Sequence, residues 1–199
     1  MKVLILGGFL GSGKTTALMG LARYMVDVSD SERENKVVIL ENEVGEVGID
    51  DAYLRSGGLT VNNLFSGCAC CTVSGELVTA VSRIRSKLDP EWVIVETTGV
   101  AYPMNMKENL KNALGIDSLI CIMADASRWS RLFAPMRELL RGQLVGADTV
   151  LVNKVDIAGE EKVAKVESDI LELEPDSVVL RISAVGEVPG QVWKKVAGV

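Results

Sequence analysis

The sequence predicts a three-layer α/β fold built on a mostly parallel central sheet. Three observations predict it. Short β-branched runs alternate with amphipathic helical stretches. The runs are near-continuous in Val, Ile and Leu, as strands covered on both faces are. The first run passes directly into a glycine-rich loop that opens a helix.

The elements follow in order. Strands are expected at Lys2–Leu6, Lys36–Glu41, near Leu59–Phe65, and at Trp92–Glu96, Ser118–Ala124, Thr149–Val152 and Val178–Ile182. Between them, Ala17, Leu18, Leu21, Ala22, Met25 and Val26 recur at helical spacing. So do Leu77, Val78, Val81, Ile84 and Leu88, then Leu132, Phe133, Met136, Leu139 and Leu140, then Val163, Val166, Ile170 and Leu173, which Pro175 ends. These stripes read as core faces. With 199 residues and no linker or repeat, residues 1–199 are expected to form a single domain. The Gly-, Asn- and Ser-rich stretch Glu43–Ser74 is too long for an ordinary connection, and such loops usually carry function.

Composition bounds the rest. A net charge of −6, with no basic stripe, argues against a nucleic-acid surface. The longest apolar run, Leu119–Ala124, is strand length, so no membrane span is expected. Met1–Leu6 runs straight into glycines without a cleavage site and reads as a strand, which makes the cytoplasm the expected compartment. The apolar content leaves room for a homodimer face.

Gly8-Phe9-Leu10-Gly11-Ser12-Gly13-Lys14-Thr15 fits GxxxxGK[ST], the phosphate-binding P-loop. Its glycines let successive backbone N–H groups turn toward phosphate oxygens, and the helix that opens at Lys14 offers its positive dipole end to the same anion. Lys14 is expected to reach the β/γ-phosphates, and the Thr15 hydroxyl, next to Thr16, to hold Mg²⁺. The fold expected is therefore that of the P-loop NTPases.

Asn153-Lys154-Val155-Asp156 is an NKxD sequence after a late strand, where open α/β sheets bind ligands. Guanine presents two adjacent donors, and the carboxylate of Asp156 accepts both. The Lys154 stem can lie on the purine, Asn153 can tie this loop to the P-loop, and a backbone N–H at Ser183-Ala184 can meet the guanine carbonyl oxygen. Glu96-Thr97-Thr98-Gly99 ends another strand: Glu96 can hold a water on Mg²⁺, and Gly99 can bring an N–H to the γ-phosphate. GTP and GDP are the expected ligands, and hydrolysis the expected reaction. Most P-loop GTPases carry Asp where Glu96 stands. No glutamine or arginine declares itself as the water-positioning group.

On these motifs the sequence resembles the CobW-like metal-trafficking GTPases, relatives of HypB and UreG. The resemblance is carried by the P-loop through Thr16, Glu41-Asn42-Glu43-Val44-Gly45-Glu46 with Ile49-Asp50, Gly67-Cys68-Ala69-Cys70-Cys71, Glu96–Gly99 and Asn153–Asp156. It implies GTP hydrolysis coupled to holding zinc or cobalt and delivering it to a client metalloprotein; the sequence's departures from the family pattern point to a divergent function, for example in corrinoid-enzyme assembly. The implied metal ligands are Cys68, Cys70 and Cys71, with Glu41 and Glu46 nearby. The sequence departs from the family in having no histidine, in Val44 where an aromatic is usual, and in reading as a short form without the C-terminal domain of longer members.

Three thiolates on four residues are one ligand short of a closed zinc site, which suits a metal that must be released, and soft sulfur favours Zn²⁺, Co²⁺ or Cu⁺ over Mg²⁺. Redox-sensing thiols and inert packing are the alternatives for the trio, and Cys121 reads as a small buried hydrophobe. Two further functions compete: a nucleotide-switched adaptor that remodels a partner enzyme, and a P-loop kinase, against which NKxD argues.

Overall fold

The computed structural model describes residues 1–41, 59–63 and 73–198. Its strands are β1 (Lys2–Gly8), β2 (Val37–Glu41), β3 (Leu59–Asn63), β4 (Trp92–Glu96), β5 (Ser118–Asp125), β6 (Thr149–Asn153) and β7 (Val178–Arg181). They make one seven-stranded sheet in the order β3-β2-β4-β1-β5-β6-β7. Every pairing is parallel, a step beyond the mostly parallel sheet expected.

The helices are α1 (Lys14–Asp27), α2 (Val73–Lys87), α3 (Pro103–Leu114), α4 (Trp129–Phe133), α5 (Arg137–Leu144), α6 (Val155–Ala158), α7 (Glu160–Leu173) and α8 (Gly190–Val196). The stripe at Leu132–Leu140 does not form one helix. It splits into α4 and α5 around Pro135, which lacks an N–H and restricts the residue before it. Helix α3 buries only Pro103, Met106 and Leu110, a stripe too thin to stand out in the sequence.

Side-chain alternation along the strands divides the interior into two cores. Val3, Ile5, Val38, Val93, Ile120 and Val152 face α2, α3, α5 and α7. Leu4, Leu6, Ile39, Ile94, Met123 and Leu151 face α1 and α8. Three layers result. Cys121 lies in the second core, 1% exposed, where burial pushes its thiol up from the ordinary value. Because all strands run the same way, the carboxyl ends of β1, β2, β4, β5 and β6 open on one edge, where parallel sheets place their ligands. Among the described residues no helix is long and apolar enough to cross a membrane.

Candidate functional site

The loop between β1 and α1 passes through left-handed conformations at Gly11 (φ 72°) and Gly13 (φ 95°). Gly13 has a second reason to be glycine: a Cβ there would collide with the amide nitrogen of Asn153. Helix α1 then starts at Lys14 with no side chain capping it and no acidic residue in its first turn. Its positive end is thus kept for an anion rather than neutralised from within. Ser12 is fully buried, and its hydroxyl has no hydrogen-bond partner among the described residues. Lys14 is also buried, and its Nζ donates to the Gly8 carbonyl oxygen at 3.1 Å, which holds the ammonium at the loop.

Thr15 Oγ1 donates to Glu96 Oε1 at 2.9 Å. A hydroxyl whose proton is committed to a carboxylate keeps its oxygen lone pairs available, and the carboxylate makes that oxygen more basic. The pair is a hard-oxygen set of the kind Mg²⁺ selects. Glu41 ends β2 in register with Glu96 at the end of β4. Their preceding neighbours Leu40 and Val95 belong to the first core, so both glutamates leave the sheet on the α1 side. Two acidic strand ends therefore stand side by side next to the P-loop.

After Glu96 the chain turns so that Gly99 meets the P-loop backbone to backbone. A Cβ on Gly99 would lie 2.7 Å from the Leu10 nitrogen. Gln143, on α5 and 1% exposed, holds this turn: its Nε2 donates to the carbonyl oxygens of Gly99 at 3.0 Å and Ala101 at 3.3 Å. One residue earlier, Gly142 leaves room for the Tyr102 ring. Gln143 escaped the sequence reading because a single polar residue in a helical stripe gives no signal.

The NKxD loop is stitched to the P-loop as expected. Asn153 Nδ2 donates to the Ser12 carbonyl oxygen at 2.8 Å, Asn153 Oδ1 accepts from the Ala184 amide at 2.9 Å, and Lys154 Nζ donates to the Gly11 carbonyl oxygen at 2.8 Å. Lys154 itself is left-handed, φ 66°. Asp156 stands exposed in the first turn of α6. The Ala184 N–H is spent on Asn153, while the Ser183 amide, the other N–H of that pair, and the amide of the exposed Val185 donate to no partner among the described residues.

The structure adds Asp125, at the end of β5 and 3% exposed. It accepts from Lys154 Nζ at 2.8 Å, Arg128 Nε at 2.6 Å and the Ser127 hydroxyl at 2.6 Å. Burial alone would raise its carboxyl, but these hydrogen bonds outweigh it and hold the group below the ordinary carboxylate range.

Thr16 is exposed on α1, one residue beyond the Thr15–Glu96 pair. Glu46, Cys68, Cys70 and Cys71 lie outside the described residues. Among the described residues no cluster of three or more His, Cys, Asp or Glu side chains is arranged to hold a metal.

The family model described as "CobW/HypB/UreG, nucleotide-binding domain" matches residues 2–181. The chain belongs to the CobW/HypB/UreG family. Among its relatives, the zinc chaperone CobW of Pseudomonas aeruginosa is 29% identical over 95% of this chain and 58% of that protein. Zinc-regulated GTPase metalloprotein activator 1 of Dictyostelium discoideum is 24% identical over 91% of this chain and 45% of its own length. The chain thus spans about half the length of these relatives. The crystal structure of Zn(II)-bound YjiA GTPase from E. coli superposes with a TM-score of 0.70 at 20% identity, covering all of this chain and 62% of that one. That likeness extends the family's α/β fold to the whole described sheet.

Proposed function

We propose that this member of the CobW/HypB/UreG family binds and hydrolyses GTP and uses the nucleotide state to hold a transition metal, zinc or cobalt, and deliver it to a client metalloprotein. The observation that carries the nucleotide half is the Asn153 amide. With one end on the P-loop and the other on the loop after β7, it locks phosphate-binding and base-reading loops into one unit. The seven strands form one sheet with a core on each face, which supports taking residues 1–199 as one domain.

Each residue has a role in this reading. The backbone N–H groups from Gly8 to Thr15, with Thr16 beyond, cradle the phosphates, and Lys14 moves from the Gly8 carbonyl to the β/γ oxygens. Thr15 and, through water, Glu96 hold Mg²⁺, which supplies charge neutralisation on the β and γ oxygens. Gly99, held by Gln143, presents its N–H to the γ-phosphate. Asp156 accepts from the guanine ring N–H and amino group, and of the Ser183-Ala184 pair it is the Ser183 amide that donates to the guanine carbonyl oxygen, Ala184 being held by Asn153. Hydrolysis forms a bond from water oxygen to the γ-phosphorus. The bond to the β–γ bridging oxygen breaks and its electron pair leaves with GDP. One water proton stays on phosphate and the other goes to solvent.

For the metal half, Cys68, Cys70 and Cys71 are the thiolate ligands, with Glu41 and Glu46 as acidic neighbours. The names of the relatives, a zinc chaperone and a zinc-regulated metalloprotein activator, support metal as cargo and a protein client.

The test is nucleotide binding by the purified chain. GTP should outcompete ATP, because only guanine offers two adjacent donors to the Asp156 carboxylate. Asp156→Asn should weaken GTP and improve xanthine nucleotide binding, and Lys14→Ala should abolish turnover. Equal affinity for ATP and GTP defeats the reading.

A further inference from the structure

The geometry points to Arg128 as a catalytic arginine supplied in cis, placing a guanidinium on the triphosphate of GTP at its β–γ end. This rests on the reading of the site as a GTPase centre and adds a guanidinium, which the sequence motifs do not contain. Arg128 follows β5 by three residues, on the short connection to α4. Its Nη2 donates to the Leu10 carbonyl oxygen at 2.7 Å, and its Nε to Asp125 Oδ2 at 2.6 Å. The guanidinium also lies over Gly11, where a Cβ would stand 2.9 Å from Nη2. The arginine therefore rests on the third and fourth residues of the P-loop.

Leu10 fixes which end of the nucleotide this is. Its backbone is the part of the P-loop that touches Gly99, the residue placed to meet the γ-phosphate. Lys154 reaches the next carbonyl along, Gly11, from the base-reading side. Two cations thus stand in sequence along the loop, Lys154 toward the base and Arg128 toward the γ end, and both are anchored on the same Asp125 oxygen. One buried carboxylate against an ammonium and a guanidinium leaves the group with a single net positive charge beside the phosphates.

The donors suit the task. A guanidinium carries five N–H groups in a planar fork. Two are committed to Asp125 and Leu10, and the other three have no partner among the described residues. The side chain is 35% exposed, so they face the open edge of the site rather than the core. Phosphoryl transfer gathers charge on the γ-phosphoryl and bridging oxygens, and a preorganised guanidinium there accelerates it without moving in the reaction. Asp125 and the Leu10 carbonyl provide the preorganisation.

A brace that merely stiffens the P-loop would act on the ground state and the transition state alike. The experiment separates these roles in the full 199-residue chain. Wild type, Arg128→Ala and Arg128→Lys are compared for GTP turnover and for the Kd of GDP with and without aluminium fluoride, which mimics the transferring phosphoryl group. Arg128→Ala should lower kcat by at least about ten-fold and weaken the GDP–aluminium fluoride complex by a similar factor, while GDP affinity stays within about two-fold. Arg128→Lys keeps the charge without the fork and should fall between; it also serves if Arg128→Ala does not fold. Unchanged turnover in a folded variant, or equal losses in GDP and GDP–aluminium fluoride affinity, overturns the assignment. A wild-type chain without GTP turnover overturns the GTPase reading itself, so the two failures are told apart.

Discussion

Asn153 donates its side-chain amide to the carbonyl oxygen of Ser12 at 2.8 Å, joining residues 141 positions apart. Its other end accepts from the Ala184 amide, so three loops of the sheet edge converge on one side chain. Asn153→Ala removes both bonds and leaves a buried carbonyl unpaired. The expected cost is about 1–3 kcal/mol of stability, read as a lowered urea midpoint. Affinity for GTP and GDP should fall together, because the loops lose their relative placement whatever the phosphate number. A loss confined to one nucleotide would contradict that role.

Asp125 makes stability depend on acid in a defined direction. Its folded-state carboxyl sits below the ordinary range, near 3.9 for an unperturbed Asp, despite burial, because Lys154, Ser127 and Arg128 hydrogen-bond its charged form. A lowered folded value contributes stability that is complete above the unfolded value and lost as pH falls through the folded one. At neutral pH, Asp125→Asn should cost about 1–3 kcal/mol. The difference in Tm between wild type and variant should narrow below about pH 4. A difference that stays constant from neutral pH to about pH 2 refutes the assignment.

Gln143 ties the Gly99 turn to α5 through both its amide protons. If that tie positions the γ-phosphate amide, Gln143→Leu should lower kcat for GTP while leaving GDP affinity nearly unchanged. Gln143→Glu has the same shape but points an acceptor at two carbonyl oxygens, so it should fail to restore turnover. Restoration by Glu would show that side-chain volume, and not donation, is what the turn requires.

How much of this was legible follows from how local each feature is. The strands announce themselves in β-branched runs, and the P-loop is contiguous, so Lys2–Leu6, which the structure continues to Gly8, and the motif Gly8–Thr15 could be read directly. The NKxD loop was read from its motif, because the proposed base reader is four consecutive residues at a strand end. The Asp125 cluster was not, since it depends on β5 and β6 pairing so that Asp125 stands beside Asn153. A signal existed: an acidic residue closing the strand next to the NKxD strand invites a search for its cations. Arg128 and Gln143 gave none, because their meaning lies in backbone carbonyls contributed by distant loops. The break at Pro135 was visible and underweighted against the apolar stripe around it. The cysteine trio was conspicuous from its clustering alone, and it lies outside the described residues.

Glu41 and Glu96 are register partners at the ends of adjacent strands, and Glu96 hydrogen-bonds Thr15 of the P-loop. In sequence, Glu41 leads into the segment bearing Glu46, Cys68, Cys70 and Cys71, while Glu96 leads into the Gly99 turn. A change in the proposed γ-phosphate contacts at Gly99 would therefore act one strand away from where the segment proposed to bind metal follows β2 in sequence. Segments so placed are the ones that GTPases reorganise on hydrolysis. Coupling between two ligands is reciprocal, with an ordinary range of roughly 5- to 150-fold in affinity. Co²⁺ titrated into the chain, followed by its thiolate absorption, should give Kd values that differ by such a factor between GDP and a non-hydrolysable GTP analogue. Co²⁺ should change the affinity for the analogue by the same factor. Glu41→Gln should shrink that factor, since it removes one of the two carboxylates paired at the shared strand ends. Equal Co²⁺ affinity in the two nucleotide states, or undiminished binding once Cys68, Cys70 and Cys71 are all serine, would separate metal from nucleotide and leave a GTPase without a metal cycle.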